Sequence, residues 1–435
     1  MSSEQDTEPQ QAARQAAAPS DTWLGKLGPG LITGAADDDP SGIATYSQAG
    51  AQFGFGMLWT VCLTFPLMLG IQVISAKIGR VSGHGLATNI RRHYPKSLLY
   101  AIVGLLLLAN VINIAADVAA MGDALTLIIG GPTHLYAVGF GLLSLLLQVF
   151  IPYQQYVRIL KWLTLGLLAY VATVLTVHIP WGEVALRTVW PRFAWSAASV
   201  TMIVAVFGTT ISPYLFFWQA SQEVEDLQAD AGAQALRRAP EQAPRQFQRI
   251  KMDTAIGMGF SNLVAFFIML TTAVTLGAQG ITHIDTSAQA ASALRPIAGE
   301  FAFALFSLGI IGTGLLAIPV LAGSAAYAMA GAFHWKNSLE LAPRAAKKFY
   351  GIIVTATVIG AALCFTPLDP IKALYWSAVI NGVISVPIMA LMMVMASRPA
   401  IMGTLTISRR LRALGWLSTI VMATAVLAMF TTMAF

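Results

Sequence analysis

The run Asp37-Asp38-Asp39-Pro40-Ser41-Gly42 lies in the middle of the first hydrophobic segment, where lipid tolerates neither three acids nor a Pro-Ser-Gly break. Carboxylates at that depth need a cation, water or helix-end dipoles to offset them. Irregular backbone survives there only inside protein or beside water. The chemistry on offer is therefore cation binding through oxygen, along a substrate or ion path. Asp39, directly before Pro40, is the strongest ligand candidate. Asp38 is a further candidate, and both it and Asp37 are expected in an aqueous vestibule, attracting cations or holding water that hydrates one. Their competing reading is an external helix cap.

A second break, Gly208-Thr209-Thr210-Ile211-Ser212-Pro213-Tyr214, falls midway along the sixth apolar run. Pro213 removes a backbone donor and crowds the preceding turn, while Thr209, Thr210 and Ser212 offer oxygens. One proline reads as a kink. Two breaks at matching positions, one of them acidic, fit transporters built as inverted repeats, in which interrupted helices expose carbonyls and helix ends to ions. The expected site joins the Asp39 carboxylate to carbonyls near Ala36 and Thr209, with Ser212 reaching the ion directly or through water. Thr209 and Thr210 have the alternative of bonding back into their own helix. Asn262 and Asn381, polar residues on apolar spans, either surround the site or make interhelical hydrogen bonds.

The elements that must hold these residues follow from composition. The 435 residues are 56% hydrophobic and only 11% charged, too few charges to clothe a water-soluble surface. Apolar runs long enough to cross about 30 Å of hydrocarbon occur near 27–52, 54–76, 98–129, 133–152, 159–179, 196–221, 252–278, 298–333, 349–366, 373–397 and 413–434. Eleven transmembrane helices are predicted. If the N-terminus is cytoplasmic, all of the 26 Lys and Arg except Arg187, Arg192, Arg295 and Lys372 fall inside, so the C-terminus is expected outside. Residues 1–22 read as a disordered cytoplasmic tail, 23–397 as a ten-helix core and 398–435 as an additional helix. The mixed-charge stretch 222–250 suits a surface helix or a solvated connector.

Several functions are excluded. Cys62 and Cys364 lack the spacing of a zinc or redox motif, and none of the six histidines forms an i, i+4 pair. Gly309-Ile310-Ile311-Gly312-Thr313-Gly314 follows no strand and lacks a phosphate anchor. The basic residues cluster between apolar runs, which topology explains better than nucleic acid does. No enzyme, cofactor or obligate protein partner is implied; the expected partners are a divalent cation and the lipid bilayer.

Gly28-Pro29-Gly30-Leu31, Asp39-Pro40-Ser41-Gly42 and Gln48-Ala49-Gly50-Ala51-Gln52-Phe53-Gly54 together resemble the first helix of the Nramp divalent-metal transporter family. Ala76-Lys77-Ile78-Gly79, Asp117 in the third segment and the break at Pro213 extend the resemblance over most of 27–397. It implies an all-α, five-plus-five inverted repeat with broken first and sixth helices, working by alternating access around a midplane metal. The departures are informative. Where the family carries Asp-Pro-Gly-Asn and Met-Pro-His, this chain has Gly42 at the asparagine position, Ser212 at the methionine position and Tyr214 at the histidine position. A second family histidine is Gln219, and the acid after Asp117 is Ala120. Losing a thioether favours hard ions held by oxygen. Neither Tyr nor Gln cycles a proton near neutral pH as His does, although Asp117 remains able to carry one. The chain is thus similar to the Nramp-related magnesium transporters, with Asp37, Thr210, Tyr214, Asp117, Asn262 and Asn381 expected around the site. Magnesium without proton coupling is the expected cargo, manganese the second choice, and an amino-acid-like solute on the same scaffold the alternative. A bacterial inner membrane is the expected location.

Overall fold

A computed structural model describes residues 29–151, 164–191, 194–230, 232–366 and 369–434. The tail expected over 1–22 lies outside them. Fifteen principal helices run as α1 (Pro29–Asp37), α2 (Pro40–Phe53), α3 (Leu58–Ser82), α4 (Leu86–His93), α5 (Lys96–Ile129), α6 (Thr133–Phe150), α7 (Leu168–Thr176), α8 (Trp181–Val189), α9 (Ala197–Thr210), α10 (Pro213–Ala229), α11 (Ala243–Thr275), α12 (Ala302–Phe333), α13 (Lys347–Leu363), α14 (Pro370–Ser397) and α15 (Arg409–Ala434).

Among the described residues, eight stretches are long and apolar enough to cross a membrane, against the eleven expected. The difference has local causes. The first two runs join through a 3-10 turn at Gly54–Met57 into one stretch, Pro40–Ser82. The fifth is described only from residue 164 onward. The ninth, α13, has 17 residues, about 26 Å of helix and slightly short of the hydrocarbon thickness. Leu142, Leu146, Val358, Leu417, Ile420 and Leu427 remain exposed on the outer helices α6, α13 and α15, as lipid-facing residues do.

Two long helices form the scaffold. The 34 residues of α5 pack against α12, α14, α13 and α6, and α11 runs along α1, α2 and α3. The broken elements lie between them, with α9 on α14 and α10 on α3 and α12. Both first halves approach the scaffold backbone to backbone. A Cβ on Gly34 would sit 2.1 Å from the Gly257 carbonyl carbon on α11, and one on Gly208 2.0 Å from the Ala378 oxygen on α14. Small residues permit such contact where lipid supplies no hydrophobic drive. α15 closes the bundle against α14, α9 and α3.

The stretch 222–250 is not a separate surface helix. Its start completes α10 and its end opens α11, with turns and a short 3-10 helix between. Buried Glu223 pairs with Arg249 of α11, buried Arg80 of α3 donates to Asp226 at 2.9 Å, and the Tyr327 hydroxyl of α12 donates to Glu225. Charge there is consumed in tying α10 to three neighbours.

Candidate cation site at the two helix breaks

Proline starts each second half-helix. Pro40 opens α2 and Pro213 opens α10, positions where the missing N–H costs nothing because the first helical turn has no internal acceptor for it. The carbonyl ends of α1 and α9 and the amide ends of α2 and α10 thus meet inside the protein, offering negative and positive dipole ends.

Asp39 is the N-cap of α2. Its Oδ1 accepts from the Gly42 amide at 2.7 Å, and its Oδ2 accepts from the Tyr214 hydroxyl at 3.3 Å. That hydroxyl also lies 3.2 Å from the Ala36 carbonyl oxygen. Two of the expected ligand atoms, the Ala36 carbonyl and the Asp39 carboxylate, therefore point at one position. All three residues are buried, Asp39 being 2% exposed.

Against the expected vestibule, Asp37 and Asp38 are buried among the described residues, at 0% and 3% exposure. Both turn to α11, where the Ser261 hydroxyl lies 2.6 Å from Asp37 Oδ2 and 3.0 Å from Asp38 Oδ1. One hydroxyl proton serves two carboxylates, and Asp37 Oδ1 has no hydrogen-bond partner. The side chain that caps the start of α2 is that of Asp39. Among the described residues, no three His, Cys, Asp or Glu side chains gather as a metal site. The tandem acids split into one carboxylate at the break and two on α11.

At the second break the threonines part ways. Thr210 donates to the Val206 carbonyl at 2.6 Å and meets the Tyr46 hydroxyl of α2 at 3.0 Å. Thr209 Oγ1 is buried without a partner. A Cβ built on Gly42 would lie 3.2 Å from that Thr209 oxygen and 3.5 Å from Asp39 Oδ1. Gly42 thus occupies the gap between the two breaks. Ser212 donates back to the Gly208 and Thr209 carbonyls at 2.9 and 2.7 Å, so the Thr209 carbonyl is engaged by its own neighbour.

Asn262 donates to the Val61 carbonyl of α3 at 3.0 Å, a helix-to-helix bond outside this group. Asn381 accepts from Asn113 at 3.0 Å, linking α14 to α5. One turn beyond Asn113, Asp117 is fully buried with both oxygens unpartnered, near enough to Asp39 for their charges to interact. Sequence reasoning missed Asn113, Ser261 and Tyr46. Asn113 and Asp117 do share an i, i+4 face of an otherwise apolar helix, which is a readable signal; Ser261 and Tyr46 carried none. No histidine joins the group. His84 lies in the turn between α3 and α4, where burial first and Arg92 next hold its imidazole below the ordinary histidine value.

The arrangement offers one carboxylate, free or shareable carbonyls and hydroxyls, and no thioether at position 212. Known proteins resemble the chain as a whole in sequence and fold. The divalent metal cation transporter MntH of Klebsiella pneumoniae is 26% identical over 407 residues, covering 90% of each chain. The MntH of Verminephrobacter eiseniae is 27% identical over 372 residues, 80% of each. A mutant of the Eremococcus coleocola manganese transporter has the same fold, with a TM-score of 0.71 at 19% identity over 94% of this chain and 87% of that one. The family model for natural resistance-associated macrophage protein-like proteins matches residues 30–432. With a match spanning nearly its whole length, the chain belongs to the Nramp family of multi-pass membrane transporters.

Proposed function

We propose that this chain carries a divalent metal cation, magnesium in preference to manganese, by alternating access and without proton coupling. The observation that carries the reading is the convergence of the Ala36 carbonyl and the Asp39 carboxylate on one buried position at the junction of the two breaks. A site with a single carboxylate suits a carrier, which must release its ion as readily as it takes it up. Ser212 and Gly42 stand where the family has methionine and asparagine. The surroundings are hard oxygens, which suit an ion that prefers oxygen ligands and dehydrates reluctantly. The divalent metal transporters among its relatives support the general cargo. Tyr214 and Gln219 in place of histidines support the absence of coupled protons. Ion entry is then driven by the concentration gradient and the membrane potential. We take the membrane to be the bacterial inner membrane, with the N-terminus cytoplasmic and the C-terminus outside.

Flux into liposomes tests this reading. Reconstituted protein is expected to admit magnesium, and Asp39→Ala to stop it. Because Asp39 also caps α2, Asp39→Asn is the companion variant: asparagine keeps the cap acceptor but not the charge. Absence of magnesium entry in the parent protein, or undiminished entry in both variants, refutes the proposal. A pH-sensitive dye inside the same vesicles addresses coupling. Acidification proportional to metal uptake would contradict proton independence.

A further inference from the structure

A groove of about 540 Å³ opens between α3, α11 and α15, at the basic end of the bundle and away from the two breaks. Its rim carries Lys77, Lys251 and Arg410, and among the described residues that line it there is no carboxylate. Lys77 Nζ stands 4.0 Å from the Phe247 ring centroid, which fixes that cation at the wall. Lys251 and Arg410 are exposed. Below the rim the walls become apolar, formed by Leu69, Val73 and Leu414. On α15 the surface continues from Leu414 into exposed Leu417 and Ile420, part of the lipid-facing belt. The volume is that of a small-molecule site.

We propose that this groove binds an anionic phospholipid, its phosphate held by Lys77, Lys251 and Arg410 and an acyl chain lying along Leu69, Val73 and Leu414. Two features select this occupant. Three cations at a membrane boundary, with no carboxylate among the described residues that line the groove, call for an anion, and basic pockets between helices at this depth suit lipid headgroups. The wall beneath them runs into the surface that faces acyl chains, so the ligand must itself be charged at one end and apolar at the other. A soluble phosphate compound meets only the first condition. The site stands apart from the cation site and does not depend on the cargo.

Native mass spectrometry of the delipidated full-length protein, titrated with phosphatidylglycerol or phosphatidylcholine, tests the assignment. The parent protein is expected to retain phosphatidylglycerol selectively. Lys77→Ala/Lys251→Ala/Arg410→Ala should weaken that retention by about fivefold per cation removed, on the order of a hundredfold in all. Should the loss of Lys77 from Phe247 disturb folding, Lys251→Ala/Arg410→Ala touches only exposed residues and is expected to weaken it roughly twenty-fivefold. Lys336→Ala/Arg344→Ala/Lys347→Ala removes the same charge from exposed positions elsewhere and should change retention less than about twofold. Equal losses in the groove and control variants would mean diffuse attraction and overturn the site. Equal uptake of the two lipids would overturn it as well. Phosphatidylglycerol uptake that appears only after removal of residues 1–22 would give the groove to the chain's own acidic N-terminal segment, again against the proposal.

Discussion

The two breaks share a plan and differ in how each manages its loose ends. At the first, Asp39 reaches forward to the Gly42 amide and leaves the Ala36 carbonyl to a residue of the other break. At the second, Ser212 holds the equivalent position before proline but makes no forward cap, turning back onto the Gly208 and Thr209 carbonyls. The first break therefore presents charge and an outward-looking carbonyl; the second turns its serine back onto its own carbonyls and leaves the Thr209 hydroxyl without a partner. The lesson is that a repeated architecture need not give two equal half-sites. On the proposed reading the acidic half supplies the attraction, and the other supplies the wall through Tyr214 and Thr209.

That asymmetry is open to direct attack. The largest effect is expected from Asp39→Ala, since stripping a buried ion of its charged partner costs about 3–5 kcal/mol. Magnesium uptake should fall on the order of a hundredfold or more, while Ser212→Ala, which touches only its own helix, should change uptake less than about threefold. Comparable losses would abolish the distinction between the halves.

Next comes the double change Gly42→Asn/Ser212→Met, which returns both positions to the family pattern. It is expected to move the manganese-to-magnesium preference toward manganese by about tenfold, equivalent to ~1.4 kcal/mol. Competition flux with both ions reads this out, and an unaltered ratio would remove the softness argument.

On stability, Gly208→Ala forces a Cβ against the α14 backbone and should cost about 1–3 kcal/mol. Gly104→Ala, with nothing within 4 Å of its added Cβ, should be neutral or slightly stabilising. Thermal unfolding in detergent compares them, and similar melting temperatures would contradict the close approach.

The smallest effect belongs to Tyr214→Phe. Its hydroxyl competes with any ion for the Ala36 and Asp39 oxygens, so its removal should tighten magnesium binding by roughly threefold, the worth of one ordinary hydrogen bond. Calorimetry measures it; weaker binding would instead make the phenol a ligand.

Much of this plan was legible in the sequence because acids, prolines and small polar residues are costly inside apolar runs and persist there chiefly where an ion or water path needs them. Span positions followed from hydrophobic length, and the boundary read between the first two runs falls beside the 3-10 turn at Gly54–Met57. What could not be read was partnership across the chain. Nothing local to Asp37 and Asp38 indicates that the Ser261 hydroxyl of α11 donates to both, or that they sit buried against that helix. Thr209 and Thr210 are identical side chains in adjacent positions, one bonded back to its helix and one aimed elsewhere. Their difference is rotational, set by the helix face each occupies once α9 is pressed onto α14.

The charges binding the far end of α10 carry a consequence for opening. Glu223, Asp226, Arg80 and Arg249 join that end to α3 and α11, with Arg80 and Glu223 fully out of water. Parting them takes buried Arg80 and Glu223 from their partners, so that end of α10 stays fastened to α3 and α11 until water can replace those partners. On the proposed alternating-access reading, these pairs must part before the basic end of the bundle opens, which makes them a latch on that side.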